Sequence, residues 1–242
     1  MRLFLVGLFL VLYFILSLPW LLVEWIIGKF NKPLSVRTSQ AFVAFNFKII
    51  LFLSGVKLTV KGTERIPRDT PVLFVSNHRS YFDILVSYVT LPVPAGFVAK
   101  KEMEKIPFLS WWMRMINCLF LDRDNIKEGL KTILKGIDLI KDGYSIFIAP
   151  EGTRSQTNEM LPFKEGSFKM AEKTGCPVVP VAITNTDAVF ERHLPWIRKA
   201  HVVIEYCDPV PTAELTREEK KALCSNVQEI IRQKLIANES LI

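Results

Sequence analysis

From Leu3 to Val23 the chain runs without a charge, "LFLVGLFLVLYFILSLPWLLV", an almost unbroken apolar stretch of 21 positions. About 20 such residues cross a bilayer as a helix, so the pattern predicts an N-terminal apolar helical membrane element. Pro19 should kink it, and Trp20, Glu24 and Trp25 follow near its end, where tryptophan suits a membrane interface. No small-x-small cleavage pattern follows, and the stretch is long for a signal peptide. A polar turn around 31–40 then leads to a second apolar run, Ala41–Leu53, interrupted by Asn46 and Lys48. That run is too short to span, and is expected to lie in the interface or return along the first. Whether the first element spans or embeds in one leaflet stays open.

After residue 55 the period changes. "VKLTVKG" (Val56–Gly62) alternates apolar and polar positions, as a half-exposed strand does. Val72–Ser76 is continuously apolar, as a central strand is. Five more short runs follow: Gly96–Lys100, Cys118–Asp122, Ser145–Pro150, Val178–Thr184 and His201–Tyr206. Amphipathic segments separate them. The clearest is Asn125–Lys141, with Ile126, Leu130, Ile133, Leu134, Ile137 and Ile140 on one face, Asp124 as cap and Gly143 as stop. A last helix is predicted from about Thr216 to Ala237. Such alternation means an α/β fold with a mixed, largely parallel sheet flanked by helices. The division expected is 1–54, membrane-anchoring helices, and 55–242, the α/β domain. Pro180, inside the Val178–Thr184 run, argues for an edge or a bulge there.

Composition adds two constraints. Half of the 242 residues are hydrophobic, and 31 basic against 24 acidic residues give a net charge of +7. That sign favours anionic partners such as phosphates, acidic headgroups or an acidic carrier protein. No helix-turn-helix, zinc-finger or RRM pattern accompanies it, so no nucleic-acid partner is expected. Lys29, Lys32, Arg37 and Lys48 outnumber Arg2 as flanking charges, which puts the bulk of the chain on the cytoplasmic side. Cys118, Cys176, Cys207 and Cys224 form no C-x-x-C pair, so neither a metal site nor a redox motif is expected.

Sites in such sheets form at the carboxyl ends of strands. Three polar clusters fall at such ends: Asn77-His78 to Asp83, Asp122-Arg123, and Glu151-Gly152-Thr153-Arg154. Within one helix, His78 and Asp83 would point roughly 140° apart. They can meet if His78 sits on the loop and Asp83 at the third position of a helix capped by Ser80. The pair then serves equally as a capping box or as a base with its orienting carboxylate. Ser76 and Ser80 lie close by, but no G-x-S-x-G elbow exists, so a nucleophile is better sought on a substrate. The glycine turn of "APEGTRS" with its guanidinium could cradle a phosphate. It could equally be an ordinary turn with a surface arginine, and Arg123 could equally pair with Asp122 or Asp124. Ile106–Ile116, "IPFLSWWMRMI", is either part of an acyl groove or plain core packing.

The order N-H-x-x-x-x-D, F-x-x-R, P-E-G-T-R-S and V-P-V-A-I, between about residues 72 and 183, resembles the four blocks of the glycerolipid acyltransferase family. Among its members the 1-acylglycerol-3-phosphate acyltransferases are the most similar in length and apolar start. Ala149 stands where phenylalanine is common, and Asn117 near where a glycine often precedes the second block. The resemblance implies that His78 is the base and Asp83 its partner. It implies that Arg123, Glu151, Gly152, Thr153 and Arg154 line the acyl-acceptor site, with Pro180 in the fourth block. The implied reaction moves an acyl group from acyl-CoA or acyl carrier protein to the sn-2 hydroxyl of lysophosphatidic acid, giving phosphatidic acid without metal or cofactor. Membrane lipids are the implied surroundings. The alternatives are another lysolipid or glycerol 3-phosphate as acceptor, a thioesterase, or a non-catalytic membrane-binding protein.

Overall fold

A computed structural model describes all 242 residues. Three helices open the chain: α1 (Arg2–Leu16), α2 (Leu18–Phe30) and α3 (Lys32–Ser54). The first two meet at Ser17 with a bend of 48°, and Pro19 stands in the first turn of α2, where its missing N–H costs nothing. The region expected to be a polar turn is helical. Asn31 caps α3 by accepting from the Leu34 amide at 3.0 Å, Pro33 sits in its first turn, and Gly55 ends it in the left-handed conformation. The polar residues that read as a turn are buried cross-links. Ser35 Oγ donates to the Glu24 carbonyl at 2.8 Å and Thr38 Oγ1 to Glu24 Oε2 at 2.7 Å. The Gln40 amide accepts from Ala95 N and donates to Val93 O. At 23 residues α3 is long and apolar enough to cross a membrane, yet Val43, Ile50 and Leu51 belong to the protein's own core.

The rest is an α/β fold. Strands β1 (Val56–Lys61), β2 (Leu73–Ser76), β3 (Ala95–Lys100), β4 (Leu119–Leu121), β5 (Ser145–Ile148), β6 (Val178–Thr184) and β7 (Ala200–Tyr206) form one seven-stranded sheet in the order β1-β7-β6-β2-β5-β3-β4. Every neighbouring pair is parallel except β6 with β7. Helices α4 (Phe82–Thr90), α5 (Leu109–Met115), α6 (Ile126–Lys141), α7 (Lys169–Thr174) and α8 (Arg217–Glu239) complete the chain. Successive side chains of β2 go to opposite faces. Phe74 joins Phe97, Phe147 and Tyr88 beneath α3 and α4, while Leu73 and Val75 join Ile146, Met170 and Ile231 beneath α6, α7 and α8. A continuous apolar run is therefore needed where both faces are covered.

Three local expectations are corrected. The cap of α6 is Asn125, whose side chain accepts from Glu128 N; Asp122 instead accepts from the amides of Asp124 and Asn125. The helix stops at Gly143 as expected: Gly143 follows the Asp142 cap with φ +89°, and Gly143 N and Tyr144 N donate back to Ile140 O and Leu139 O, each at 3.0 Å. Of its apolar residues only Ile137 and Ile140 are buried, whereas Ile126, Leu130 and Leu134 face solvent on the flank. Pro180 lies in a central strand, not at an edge. Val181 faces Tyr206, but Val178, three residues earlier, faces Val210, four residues later. That one-residue bulge in the partner chain falls opposite the proline, where no N–H is available to donate.

Candidate active site

The centre of the sheet delivers the first cluster. β2 ends at Ser76, and the Asn77 side chain pairs with both backbone groups of Ile183, donating to its carbonyl and accepting from its amide, each at 2.9 Å. This locks the exit of β2 to β6. His78 follows on the loop before α4. Its Nδ1 stands 2.8 Å from Asp83 Oδ2. The same oxygen accepts from the amides of Arg79 and Ser80, both at 2.8 Å, and Oδ1 accepts from Thr186 Oγ1. Four donors thus surround a buried carboxylate and fix its orientation. The bond from Ser80 N to Asp83 is half of the expected capping box. The other half differs: the helix starts at Phe82, and Ser80 Oγ accepts from Phe82 N at 2.9 Å. Helix cap and His–Asp pair are one structure, so the two readings of the spacing do not compete.

A carboxylate on Nδ1 favours the tautomer with the proton on that nitrogen, leaving Nε2 with a free lone pair. The His78 side chain is 18% exposed, enough for a substrate to reach it. The arrangement can take a proton from a hydroxyl and stabilise the imidazolium that results.

The loop after β5 lies against this pair. Glu151 Oε1 accepts from His78 N at 2.6 Å and Oε2 from Leu161 N at 2.7 Å, while Ser155 N donates to His78 O at 2.8 Å. Glu151 is buried with both oxygens engaged, so it braces the His78 loop rather than facing an acceptor. Burial raises its carboxyl above the ordinary range, opposed by those two amide bonds. Gly152 has φ +75°, and a Cβ there would stand 2.9 Å from Lys164 Nζ. Thr153 is exposed. The Arg154 guanidinium lies 3.8 Å from the centre of the Tyr81 ring, donates to Tyr81 Oη, and pairs with Glu191 Oε1 at 3.0 Å.

Arg123 stands apart. It follows β4, three strands from β2, roughly 14 Å at ordinary strand spacing. Neither Asp122 nor Asp124 forms an ion pair with it; Asp122 binds Lys101 at 2.9 Å. Its Nε is buried without a partner, and burial lowers its pKa, with Glu102 and Asp124 acting the other way.

Two residues outside the sequence clusters join the site: Thr186, 103 positions from Asp83, and Glu191, 111 positions from Ser80. Only the pairing of β6 beside β2 brings them there, and no local pattern marks them.

The family model described as Acyltransferase matches residues 57–184. A protein from Borreliella burgdorferi named 1-acyl-sn-glycerol-3-phosphate acyltransferase is 32% identical over 199 residues, 82% of this chain and 80% of that protein. A protein of the same name from Saccharomyces cerevisiae is 30% identical over 76% of this chain and 61% of its own length. The crystal structure of the 1-acyl-sn-glycerophosphate (LPA) acyltransferase PlsC from Thermotoga maritima superposes with a TM-score of 0.80. It is 26% identical and covers 99% of this chain and 98% of that one.

Proposed function

Since this chain belongs to the acyltransferase family, we propose that it moves a fatty acyl group from an acyl thioester to the sn-2 hydroxyl of 1-acylglycerol 3-phosphate, giving phosphatidic acid. The observation that carries the reading is the 2.8 Å contact between His78 Nδ1 and Asp83, with Nε2 left open beside the Arg154 turn. His78 Nε2 takes the hydroxyl proton as the oxygen attacks the thioester carbonyl. The tetrahedral oxyanion collapses, the C–S bond breaks, and the departing thiolate recovers the proton from the imidazolium, whose charge Asp83 offsets. Atoms and charge balance without a metal, cofactor or acyl-enzyme. Arg154 takes the acceptor phosphate, Arg123 is offered toward it from the end of β4 three strands away, and Gly152 and Thr153 form the turn at its edge. Guanidinium groups suit this by donating two parallel bonds to phosphate oxygens. Fixing the phosphate holds the hydroxyl near His78, which turns an encounter into a positioned reaction.

The acceptor and product are lipids, and the front of the chain suits them. Phe4, Leu8, Val11 and Ile15 are exposed along one face of α1, with Trp20 and Trp25 exposed on α2. Each of α1 and α2, at about 22 Å and about 20 Å, is short of the ~30 Å hydrocarbon layer, and the 48° bend at Ser17 suits a re-entrant pair better than one straight span. We therefore assign α1 and α2 to one leaflet, with the α/β domain at the cytoplasmic surface. The test is to incubate the purified full-length protein in vesicles with radiolabelled acyl-CoA or acyl carrier protein. Lysophosphatidic acid, other lysophospholipids and glycerol 3-phosphate are offered in turn. Label in phosphatidic acid is expected, and the two donor arms identify the thioester. Transfer to every acceptor except lysophosphatidic acid, or release of free fatty acid alone, would overturn the proposal.

A further inference from the structure

Glu191 belongs to none of the four sequence blocks, yet its carboxylate joins three parts of the site. Oε2 accepts from Ser80 Oγ at 2.6 Å; Oε1 accepts from Tyr81 N at 2.8 Å and from Arg154 Nη1 at 3.0 Å. Ser80 and Tyr81 open the helix whose Asp83 holds His78. Arg154 comes from the loop after β5. One side chain, 16% exposed, therefore fixes the distance between the base and a guanidinium offered to the acceptor.

Its charge has a second consequence. Arg154 is stacked on Tyr81 and bonded to Tyr81 Oη as well as to Glu191, so its plane is set before any ligand arrives. A phosphate approaching that plane meets a cation already offset by a carboxylate at hydrogen-bonding distance. Repulsion between the two anions weakens phosphate binding, while the fixed plane improves its placement. Arg79, next to His78, is offset in the same way: Asp187 binds both it and Arg192 at 2.7 Å.

We propose that Glu191 is a positioning residue that sets the Arg154 guanidinium relative to His78 and moderates its hold on the acceptor phosphate. The inference rests on the acyl-acceptor reading above and adds a determinant of acceptor affinity. A moderated grip suits turnover, because the product carries the same phosphate as the acceptor and must leave. Tight binding of the product phosphate would slow its release.

The experiment uses inorganic phosphate as a competitor of the acceptor, in wild type, Glu191→Gln, Arg154→Ala and the double variant. Glu191→Gln keeps the size and an accepting oxygen but removes the charge. It is expected to bind phosphate about fivefold more tightly, the effect of one partly exposed ion pair, with a lower KM for acceptor and a lower kcat. In the Arg154→Ala background the same substitution should leave phosphate inhibition unchanged, because the coupling runs through that arginine. A melting curve accompanies each variant. Unchanged or weaker phosphate inhibition in folded Glu191→Gln overturns the inference. So does an equal gain with Arg154 absent. A wild type that phosphate does not inhibit, and that ignores phosphate-bearing acceptors, overturns the acceptor reading itself and this inference with it.

Discussion

At the scale of single residues the His78–Asp83 pair is a set of polar groups whose hydrogen bonds are assigned except at one imidazole nitrogen. Asp83 has four donors and His78 has its ring on one of its oxygens, so the open Nε2 is where proton transfer can occur. His78→Ala is expected to cost on the order of 10²–10⁴-fold in kcat, the usual worth of a general base, with the fold retained and only a modest drop in melting temperature from the donor lost to Asp83. Asp83→Asn should be nearly as severe, since an amide presents its N–H₂ or its oxygen to an imidazole that needs an acceptor on Nδ1. It should also destabilise the fold, because Arg79 N, Ser80 N and Thr186 compete for one remaining oxygen. Steady-state rates beside melting curves separate these effects, and near-normal turnover by well-folded His78→Ala would refute the mechanism. The arginines carry a different expectation. Arg154→Ala and Arg123→Ala should raise KM for the acceptor and lower kcat, leaving KM for the acyl donor little changed. Lysine should rescue poorly, since it lacks the planar fork. A uniform loss for both substrates that follows a lowered melting temperature would return these residues to a structural role.

At the scale of elements, one very close approach lies between β3 and Asn117, two residues before β4. A Cβ on Gly96 would fall 2.1 Å from the carbonyl oxygen of Asn117, so the two chains touch as no other residue allows. Asn117 itself has φ +56°. The glycine common at this place thus has a physical substitute, because asparagine enters the left-handed region more readily than other side chains. Gly96→Ala is expected to destabilise the protein by about 1–3 kcal/mol, the ordinary cost of forcing an atom into packed structure, and to displace β4 with Arg123. Chemical denaturation measures the first effect and acceptor KM the second; an unchanged denaturation midpoint would show that the strands simply part. The same scale explains what the sequence disclosed. All seven strands were legible, since each is a short apolar run bounded by turn residues, and so was the His78–Asp83 contact, which spans five residues. The start of α3 was not, because Ser35, Thr38 and Gln40 bond to α2 and β3 instead of to water. Local polarity cannot reveal a distant partner. Thr186 and Glu191 escaped notice for the same reason, and Glu151 read as a ligand because nothing local shows its oxygens turned toward His78 N and Leu161 N.

At the scale of the whole molecule, the front helices present one side to the protein's core and an apolar side outward. α3 gives Val43, Ile50 and Leu51 to the core shared with the sheet, and Trp112 of α5 donates to Ser17 Oγ at the bend between α1 and α2. Removing these helices would therefore open the core and would not be a clean test of membrane attachment. The exposed face of α1 allows one. Phe4, Leu8, Val11 and Ile15 touch little of the protein, so replacing all four with glutamine, a good helix former, should barely move the melting temperature. Burial of such side chains in an apolar phase is worth roughly 1.5–3 kcal/mol each. Four together outweigh the attraction that a net charge of +7 supplies to anionic headgroups, which weakens further in salt. The quadruple variant is expected to stay at the bottom of a flotation gradient with vesicles at physiological salt, where the wild type rises. Its transfer rate should collapse for lysophosphatidic acid embedded in bilayers and persist for a short-chain acceptor dissolved in water, because His78, Asp83 and Arg154 are untouched. Equal loss on both acceptors would mean that α1 shapes the catalytic site itself. Undiminished flotation would place the membrane contact on another surface, first the Trp20–Trp25 side of α2, then the exposed Trp111 of α5 or the Ile126–Leu130–Leu134 flank of α6.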